Sequence, residues 1–285
     1  MSLSREGTGP VLWANGAFTT LEDCRVSPLD RGFQYGDGLF ETMRAEKGRI
    51  LFLSRHVDRL LRSMTSLRIG TSGLPDWESV LSDLLLRNGF SQETAAVKIM
   101  VTRGHWEGPG LPATEAPTVL IIARLYRPPS ETSYSEGWRL EIHWDGFSPP
   151  LAMHKSLNYL FHLAARQAAM DHGADEAVIL DASGCVAETA AGSLIFRADG
   201  RWWRPESPYQ LPGITMEAVC GEMKKAGLEV KSKRIQPQDL FQAETVYVLN
   251  SLMLVMPARS VDGRALARPD PGHAALLRER LLNLD

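Results

Sequence analysis

The sequence predicts a mixed α/β (α+β) protein built as two domains. Runs with a strand-like period of two and stretches with helix-like three- and four-residue spacings mix along the whole chain. A polar, proline-containing stretch at 127–137 carries neither period and divides them. The composition, 44% hydrophobic and 23% charged over 285 residues, supplies apolar material for two cores. No internal repeat is visible.

The first half opens on strands. Asn15-Gly16, a favoured hairpin turn, separates short apolar runs at 11–13 and 17–20, and Lys47-Gly48 separates 39–45 from 50–53 in the same way. Ser54 is placed to cap a helix whose Val57, Leu60, Leu61, Met64 and Leu67 make one apolar face. A second helix is expected from Asp76, with Val80, Leu81, Leu84 and Leu85 inward and a stop at Asn88-Gly89. Residues 95–102 and 117–125 read as two further strands. This gives a small N-terminal domain over 1–126, with 127–137 as the interdomain linker.

The larger domain, 138–285, begins with Trp138, Leu140, Ile142 and Trp144 alternating with polar residues, a half-buried strand. A helix is expected from Ser156 to His172, ended by Gly173, and strands at 176–180, 193–197 and 201–204 follow. A helix from Ile214 to Ala226, strands at 244–249 and 253–259, and a short helix near 273–283 complete it.

Charge and motif content remove several function classes. Against 34 acidic residues there are 31 basic ones, a net charge of −3, which disfavours a nucleic-acid binder. Cys24, Cys185 and Cys220 are few and widely spaced, arguing against a disulfide framework and for a reducing cytoplasm. No apolar run reaches the length of a membrane span, and Met1 to Glu6 lacks the apolar core of a signal peptide, so no membrane partner is expected. HExxH, CxxC, GxSxG, P-loop and complete GxGxxG motifs are all missing. The seven histidines are scattered, none with a second His or Cys three or four residues away, so no metal is expected.

What remains is an anion site, a lysine and an acid. Leu211-Pro212-Gly213-Ile214-Thr215 opens a helix with a glycine that lets backbone N–H groups approach a phosphate closely; an ordinary proline-glycine helix start reads the same way. Of seven lysines, Lys155 and Lys98 both lie among apolar residues, where a lysine can become the nucleophile of a Schiff base. Snorkelling is the commonplace alternative, and composition does not choose between the two. Glu188 lies in a small-residue loop from Gly184 to Ser193 that a ligand could approach; an exposed turn carboxylate is the plain alternative. Together the three features match pyridoxal 5'-phosphate, whose aldehyde needs a lysine, whose ring nitrogen needs a carboxylate and whose phosphate needs a helix N-terminus.

These residues resemble the class IV aminotransferases, the fold-type IV pyridoxal-phosphate group that includes branched-chain aminotransferases, D-amino-acid aminotransferases and aminodeoxychorismate lyases. The likeness runs from Asp30-Arg31-Gly32-Phe33-Gln34-Tyr35-Gly36-Asp37-Gly38-Leu39-Phe40-Glu41 to Asn250-Ser251-Leu252-Met253. Between them stand His56-Val57-Asp58-Arg59-Leu60, Val101-Thr102-Arg103-Gly104, Lys155-Ser156-Leu157-Asn158-Tyr159-Leu160, Gly173-Ala174-Asp175-Glu176-Ala177 and Val186-Ala187-Glu188. The resemblance implies a D-amino-acid-aminotransferase-like fold with the cofactor between two domains, and a homodimer whose neighbouring subunit adds to the substrate pocket. It assigns the Schiff-base lysine to Lys155 and makes Lys98 a structural strand residue. It turns Glu188 toward the ring nitrogen, puts Arg59, Gly213, Ile214, Thr215 and Ser251 on the phosphate and Tyr159 near the phenolic oxygen, and leaves Tyr35 and Arg103 as substrate-side candidates.

The resemblance further implies that Lys155 takes a proton from the substrate, after which a transaminase and a lyase diverge. The stretch Asn250-Ser251-Leu252-Met253-Leu254-Val255-Met256-Pro257 resembles one common in aminodeoxychorismate lyases, which ranks that reaction of the folate pathway first. An aminotransferase acting on a branched-chain or other amino acid or amine is the alternative. The chain departs from the family pattern at Gly108-Pro109-Gly110, where lyases carry an arginine and D-amino-acid aminotransferases an arginine and a histidine. It departs again at Met216 and Ser193, where arginine and asparagine are common.

Overall fold

A computed structural model describes residues 10–284; the stretch Met1 to Glu6 lies outside them. The chain forms two compact units. One runs to Arg127 and takes in Lys155–Asn158, and the other comprises Pro128–His154 and Tyr159–Asp285.

The first unit is built from β1 (Val11–Ala14), β2 (Ala17–Thr20), α1 (Arg31–Tyr35), β3 (Gly38–Glu46), β4 (Arg49–Ile50), α2 (Leu53–Ser66), α3 (Trp77–Arg87), β5 (Thr94–Thr102) and β6 (Thr118–Leu125). Its six strands make one antiparallel sheet in the order β2-β1-β6-β5-β3-β4. Along β5 every second residue, Ala95, Val97, Ile99 and Val101, is buried, and these side chains join Met43, Leu60, Met64, Leu81, Leu84 and Leu85 in the core. Leu60 and Met64 sit one turn apart on α2, so one stripe of the helix lies in this core. The Asn15-Gly16 turn is as expected, with both residues at positive φ and Ala14 paired to Ala17.

One feature of this unit was not read from the sequence and one differs from expectation. Residues 31–35 form the short helix α1, because Asp30 caps it through the Gly32 N–H at 2.7 Å and Gly36 closes it in the left-handed region at φ 66°. Ser54 is not the cap of α2; the cap position is Phe52, with no side-chain hydrogen bond.

The second unit contains α4 (Glu131–Glu136), β7 (Trp138–His143), α5 (Leu160–Asp171), β8 (Glu176–Leu180), β9 (Val186–Thr189), β10 (Ser193–Ala198), β11 (Arg201–Pro205), α6 (Ile214–Lys225), β12 (Val230–Lys233), α7 (Pro237–Phe241), β13 (Thr245–Asn250), β14 (Leu254–Val261), β15 (Arg264–Ala265) and α8 (Pro271–Leu282). Its mixed sheet runs β12-β11-β10-β13-β14-β7-β8-β9, with β15 paired to β14. The pairs β11/β12, β14/β7 and β7/β8 are parallel. Ile142, Val178, Leu194, Phe196, Val248 and Met256 lie at the centre of its core.

The stretch expected as a linker folds here as α4. Ser130 caps it through the Ser133 N–H at 3.1 Å, and Tyr134 is buried with its hydroxyl donated to the Met253 carbonyl at 2.8 Å. The helix expected from Ser156 starts only at Leu160, because Lys155 to Leu157 are held against β3: Phe40 N–H donates to the Lys155 carbonyl and Leu157 N–H to the Gly38 carbonyl. β9 also forms where a loop was expected, pairing Glu188 with Ile179 of β8.

Candidate active site

In the first unit the chemistry gathers at β3 and the strip 155–158. The strip is anchored at both ends: Leu157 reaches the Gly38 backbone, and the Asn158 amide donates to the Gly36 carbonyl at 3.2 Å. Gly36 has φ 66°, in the left-handed region that favours glycine. The Lys155 Nζ then lies 4.5 Å from the centre of the Phe40 ring. Lys98, which pairs in register with Thr42 of β3, brings its Nζ to 4.6 Å from the same ring centre. Burial, with the charge of Arg124, lowers the Lys98 pKa. The two lysines that the sequence left as alternatives thus share one aromatic ring, a cation–π arrangement for each.

On the other face of β3, Glu41 is almost fully buried and answered by α2. Arg59 grips it in a bidentate pair, Nε to Oε1 at 2.8 Å and Nη2 to Oε2 at 2.7 Å. His56 Nδ1 lies 2.7 Å from Oε2. Burial acts to raise the Glu41 pKa, but the hydrogen bonds from His56 and Arg59 outweigh it and hold the carboxyl below its ordinary range. Burial dominates at His56 and lowers its pKa. Arg59, expected on a phosphate, therefore has one edge of its guanidinium committed to Glu41.

Arg103, expected on the substrate side, is instead framework. It is fully buried, and its five N–H donors are all taken: two by Asp37 at 2.8 and 3.0 Å, the rest by the carbonyls of Arg68, Pro112 and Leu67. Arg31 adds a third contact to Asp37 at 2.8 Å. No donor is left on Arg103 for a substrate carboxylate. Tyr35 is 63% exposed, with the Arg31 guanidinium 5.0 Å from its ring centre.

In the second unit Glu188, Tyr159, Gly213, Ile214, Thr215 and Ser251 are carried on β9, α5, α6 and the β13–β14 turn. The Glu188 carboxylate accepts the Leu211 N–H on Oε2 at 3.2 Å and lies 3.2 Å from His162 Nε2 through Oε1. Tyr159 donates its hydroxyl to the Ala190 carbonyl at 2.8 Å, two residues past Glu188. Burial, helped by the charges of Glu188 and Glu176, raises the Tyr159 pKa, which keeps that O–H intact as a donor. The turn at Ser251 is held by Asn250, whose Oδ1 accepts from Leu252 and Met253 N–H and whose amide donates to the Ala191 carbonyl at 3.2 Å.

The start of α6 tests the fit of a phosphate. Gly213 is the N-cap and supplies no side chain, and a Cβ there would sit 2.4 Å from the Ser193 Oγ. The first N–H groups of a helix lack partners within the helix and form its positive end. The Thr215 Oγ1 is buried there without a hydrogen-bond partner. An uncapped helix start with an unsatisfied hydroxyl is what a phosphate would complete. Met216 and Ser193, the departures from the family pattern, are both buried, and the small Ser193 leaves the room that Gly213 occupies.

Two groups to which the motifs assign no role belong to this region. His162 shares one helical face with Tyr159 and Arg166, at spacings of three and four, and that row of polar residues is the signal that marks it. Glu176 is fully buried; its carboxylate accepts the Ala177 N–H at 3.0 Å and also hydrogen-bonds the backbone of Ala190 and Ala191. Burial outweighs these bonds and the nearby Arg166, pushing Glu176 up to about 7.

The sequence profile of the family described as amino-transferase class IV matches residues 38–261. The chain belongs to the class IV aminotransferases, enzymes that use pyridoxal phosphate, and has their fold. It is 31% identical over 273 residues to a provisionally named branched-chain-amino-acid aminotransferase of Methanocaldococcus jannaschii, covering 92% of this chain and 91% of that one. It is 27% identical to the aminodeoxychorismate lyase of Bacillus subtilis, covering 88% and 87%. Among solved structures it is similar to the T.th. branched-chain amino acid aminotransferase with pyridoxamine 5'-phosphate: TM-score 0.84, 28% identity, 97% of this chain and 93% of that one.

Proposed function

We propose that this enzyme is an aminodeoxychorismate lyase, converting 4-amino-4-deoxychorismate to 4-aminobenzoate and pyruvate for the folate pathway. The observation that carries the reading is the stretch Asn250 to Pro257, which resembles that of the lyases. Lys98 supports it: a second ammonium group over the Phe40 ring beside Lys155 suits a substrate that bears two carboxylates.

When bound, pyridoxal phosphate supplies an aldehyde that joins the substrate amine and a protonated ring that draws electrons from the neighbouring C–H bond. Lys155 is the residue that joins it covalently and then, once released, takes the proton from the substrate carbon. Glu188 is the carboxylate that keeps the ring nitrogen protonated. The start of α6 with Gly213, Ile214 and Thr215, together with Ser251, would hold the phosphate, and Arg59 keeps the phosphate role that the family resemblance implies for it. In the lyase reaction the ether C–O bond that joins the three-carbon fragment to the substrate ring would break, the Lys155 ammonium would return its proton to that fragment, which leaves as pyruvate, and the substrate ring would become aromatic. Tyr159 braces the backbone beyond Glu188 through Ala190.

The second reading is an aminotransferase for a branched-chain or other amino acid or amine, favoured by the Methanocaldococcus jannaschii relative and by the T.th. structure. Purified enzyme given aminodeoxychorismate should release pyruvate and 4-aminobenzoate in equal amounts. Keto acid from an amino-acid panel, with no pyruvate from aminodeoxychorismate, would favour the aminotransferase. A homodimer is part of the proposal: Phe33 and Tyr35, and on α5 Leu160 and Leu163, are large exposed apolar groups that a second copy would cover. Light scattering in solution should give twice the chain mass.

A further inference from the structure

Glu188 is gripped from two sides, and one grip comes from a residue with no assigned role. The backbone N–H of Leu211 holds Oε2, and His162 Nε2 faces Oε1, each at 3.2 Å. The other ring nitrogen of His162, Nδ1, is buried with no hydrogen-bond partner. Nε2 is therefore the nitrogen placed to donate, and the Glu188 carboxylate is what it donates to.

The ring has little freedom to do anything else. It stacks on Tyr159 with centroids 4.7 Å apart and planes 11° from parallel, and the Phe161 ring meets it edge-on at 5.7 Å. Tyr159 is itself pinned to the Ala190 carbonyl at 2.8 Å, in a turn whose Ala190 N–H is held by the Ala177 carbonyl. One end of α5 thus fixes both the side chain of Glu188 and the backbone that follows it.

A phenylalanine or leucine would fill the same space with no orphaned nitrogen. Leaving a polar atom buried and unpartnered costs about 1–3 kcal/mol, so packing alone does not account for a histidine here. A carboxylate held by two donors, by contrast, keeps a single rotamer.

We propose that His162 is a positioning residue: its Nε2–H, with the Leu211 N–H, sets the Glu188 carboxylate in the orientation in which it meets the ring nitrogen of the cofactor. This rests on the reading of Glu188 as that nitrogen's partner.

The test compares H162F, H162Q, E188Q and the H162F/E188Q pair in the full-length enzyme loaded with pyridoxal phosphate. Three quantities are read: the dissociation constant of pyridoxal phosphate, the pH dependence of the bound cofactor's absorption bands, and kcat separately from KM. H162F should displace the pH profile of the bands and lower kcat by about 10- to 100-fold, as loss of outer hydrogen-bond partners does elsewhere, with KM little changed. H162Q, which keeps an N–H donor, should recover most of both. In the E188Q background H162F should cost less than about twofold more, because its effect passes through Glu188.

A wild-type pH profile and kcat in H162F, with E188Q impaired, overturns the His162 proposal alone. So does the same fold-loss from H162F whether or not Glu188 is present. If E188Q itself keeps the wild-type bands and kcat, the reading of Glu188 fails first and the role of His162 falls with it. Should H162F fail to fold, H162Q against E188Q carries the comparison: a loss in H162Q as large as that in E188Q contradicts a donor role that glutamine preserves.

Discussion

Glu41 and Glu176 are both glutamates shut away from water, 1% and 0% exposed, yet they lie on opposite sides of their ordinary titration range. Glu41 in the first unit receives two hydrogen bonds from Arg59 and faces His56, and those donors overcome the cost of burial. Glu176 in the second unit has Arg166 only at 3.9 Å, and both the Arg166 Nε and its own Oε2 lack hydrogen-bond partners. Burial wins there, and its pKa rises to about 7. The contrast extends to the neighbours: Arg103 in the first unit spends every donor, whereas Thr215 Oγ1 and His162 Nδ1 in the second remain unsatisfied. A saturated buried network is framework, while the unsatisfied atoms of His162 and Thr215 stand beside Glu188 and at the start of α6, where a ligand is proposed.

The largest effect separating the two regions is expected at Arg103. Arg103→Ala strips Asp37 of a bidentate partner and leaves three carbonyls unanswered, so denaturant unfolding should show a loss of about 3–5 kcal/mol. A KM increase with unchanged stability would instead return Arg103 to the substrate side. Glu41→Gln should cost somewhat less, about 2–3 kcal/mol at neutral pH, and should also change the acid limb of stability. A carboxyl held low in the folded state stabilises fully above the ordinary value of 4.5, and the contribution disappears as pH falls through the folded value. The variant should lack that acid-side loss in a melting series.

Glu176 should slope the other way. Its folded pKa is raised, so its contribution is present below 4.5 and lost as pH rises toward 7. Glu176→Gln should flatten that fall and leave the protein at least as stable as wild type at pH 8; a strongly destabilised variant at pH 8 would mean that its ionised form is the structural one. The smallest stability effect belongs to Thr215→Val, which should leave the melting temperature of the cofactor-free protein unchanged or raised. The same change should weaken pyridoxal phosphate binding about tenfold, close to 1.4 kcal/mol, as read by titration.

How much of this was legible in the sequence follows from the range of the contacts involved. The Asn15-Gly16 hairpin, the alternation along β5 and the apolar stripe of α2 are local, and period and turn chemistry suffice for them. The pairing of Lys155 to Leu157 with β3 spans more than a hundred residues, and a helical spacing that begins at Ser156 carries no trace of it. α1 has five residues and depends on the Asp30 cap and on Gly36, and α4 depends on the burial of Tyr134 against a distant carbonyl. In the candidate site, the roles proposed for Lys155 and Glu188 come from the motif resemblance alone. Composition left Lys98 level with Lys155, and both do approach the Phe40 ring. Arg103 was misleading because a motif arginine has the same letter whether it faces a substrate or binds five internal acceptors. His162 and Glu176 matter through partners far away in sequence, Glu188 and Ala190, which no window of periodicity joins.

Lys155 is proposed as the residue that joins the cofactor. Enzyme loaded with pyridoxal phosphate, reduced with borohydride and digested should carry a pyridoxyl group, by mass spectrometry, on the peptide containing Lys155. The label on Lys98, or on no lysine at all, would contradict it.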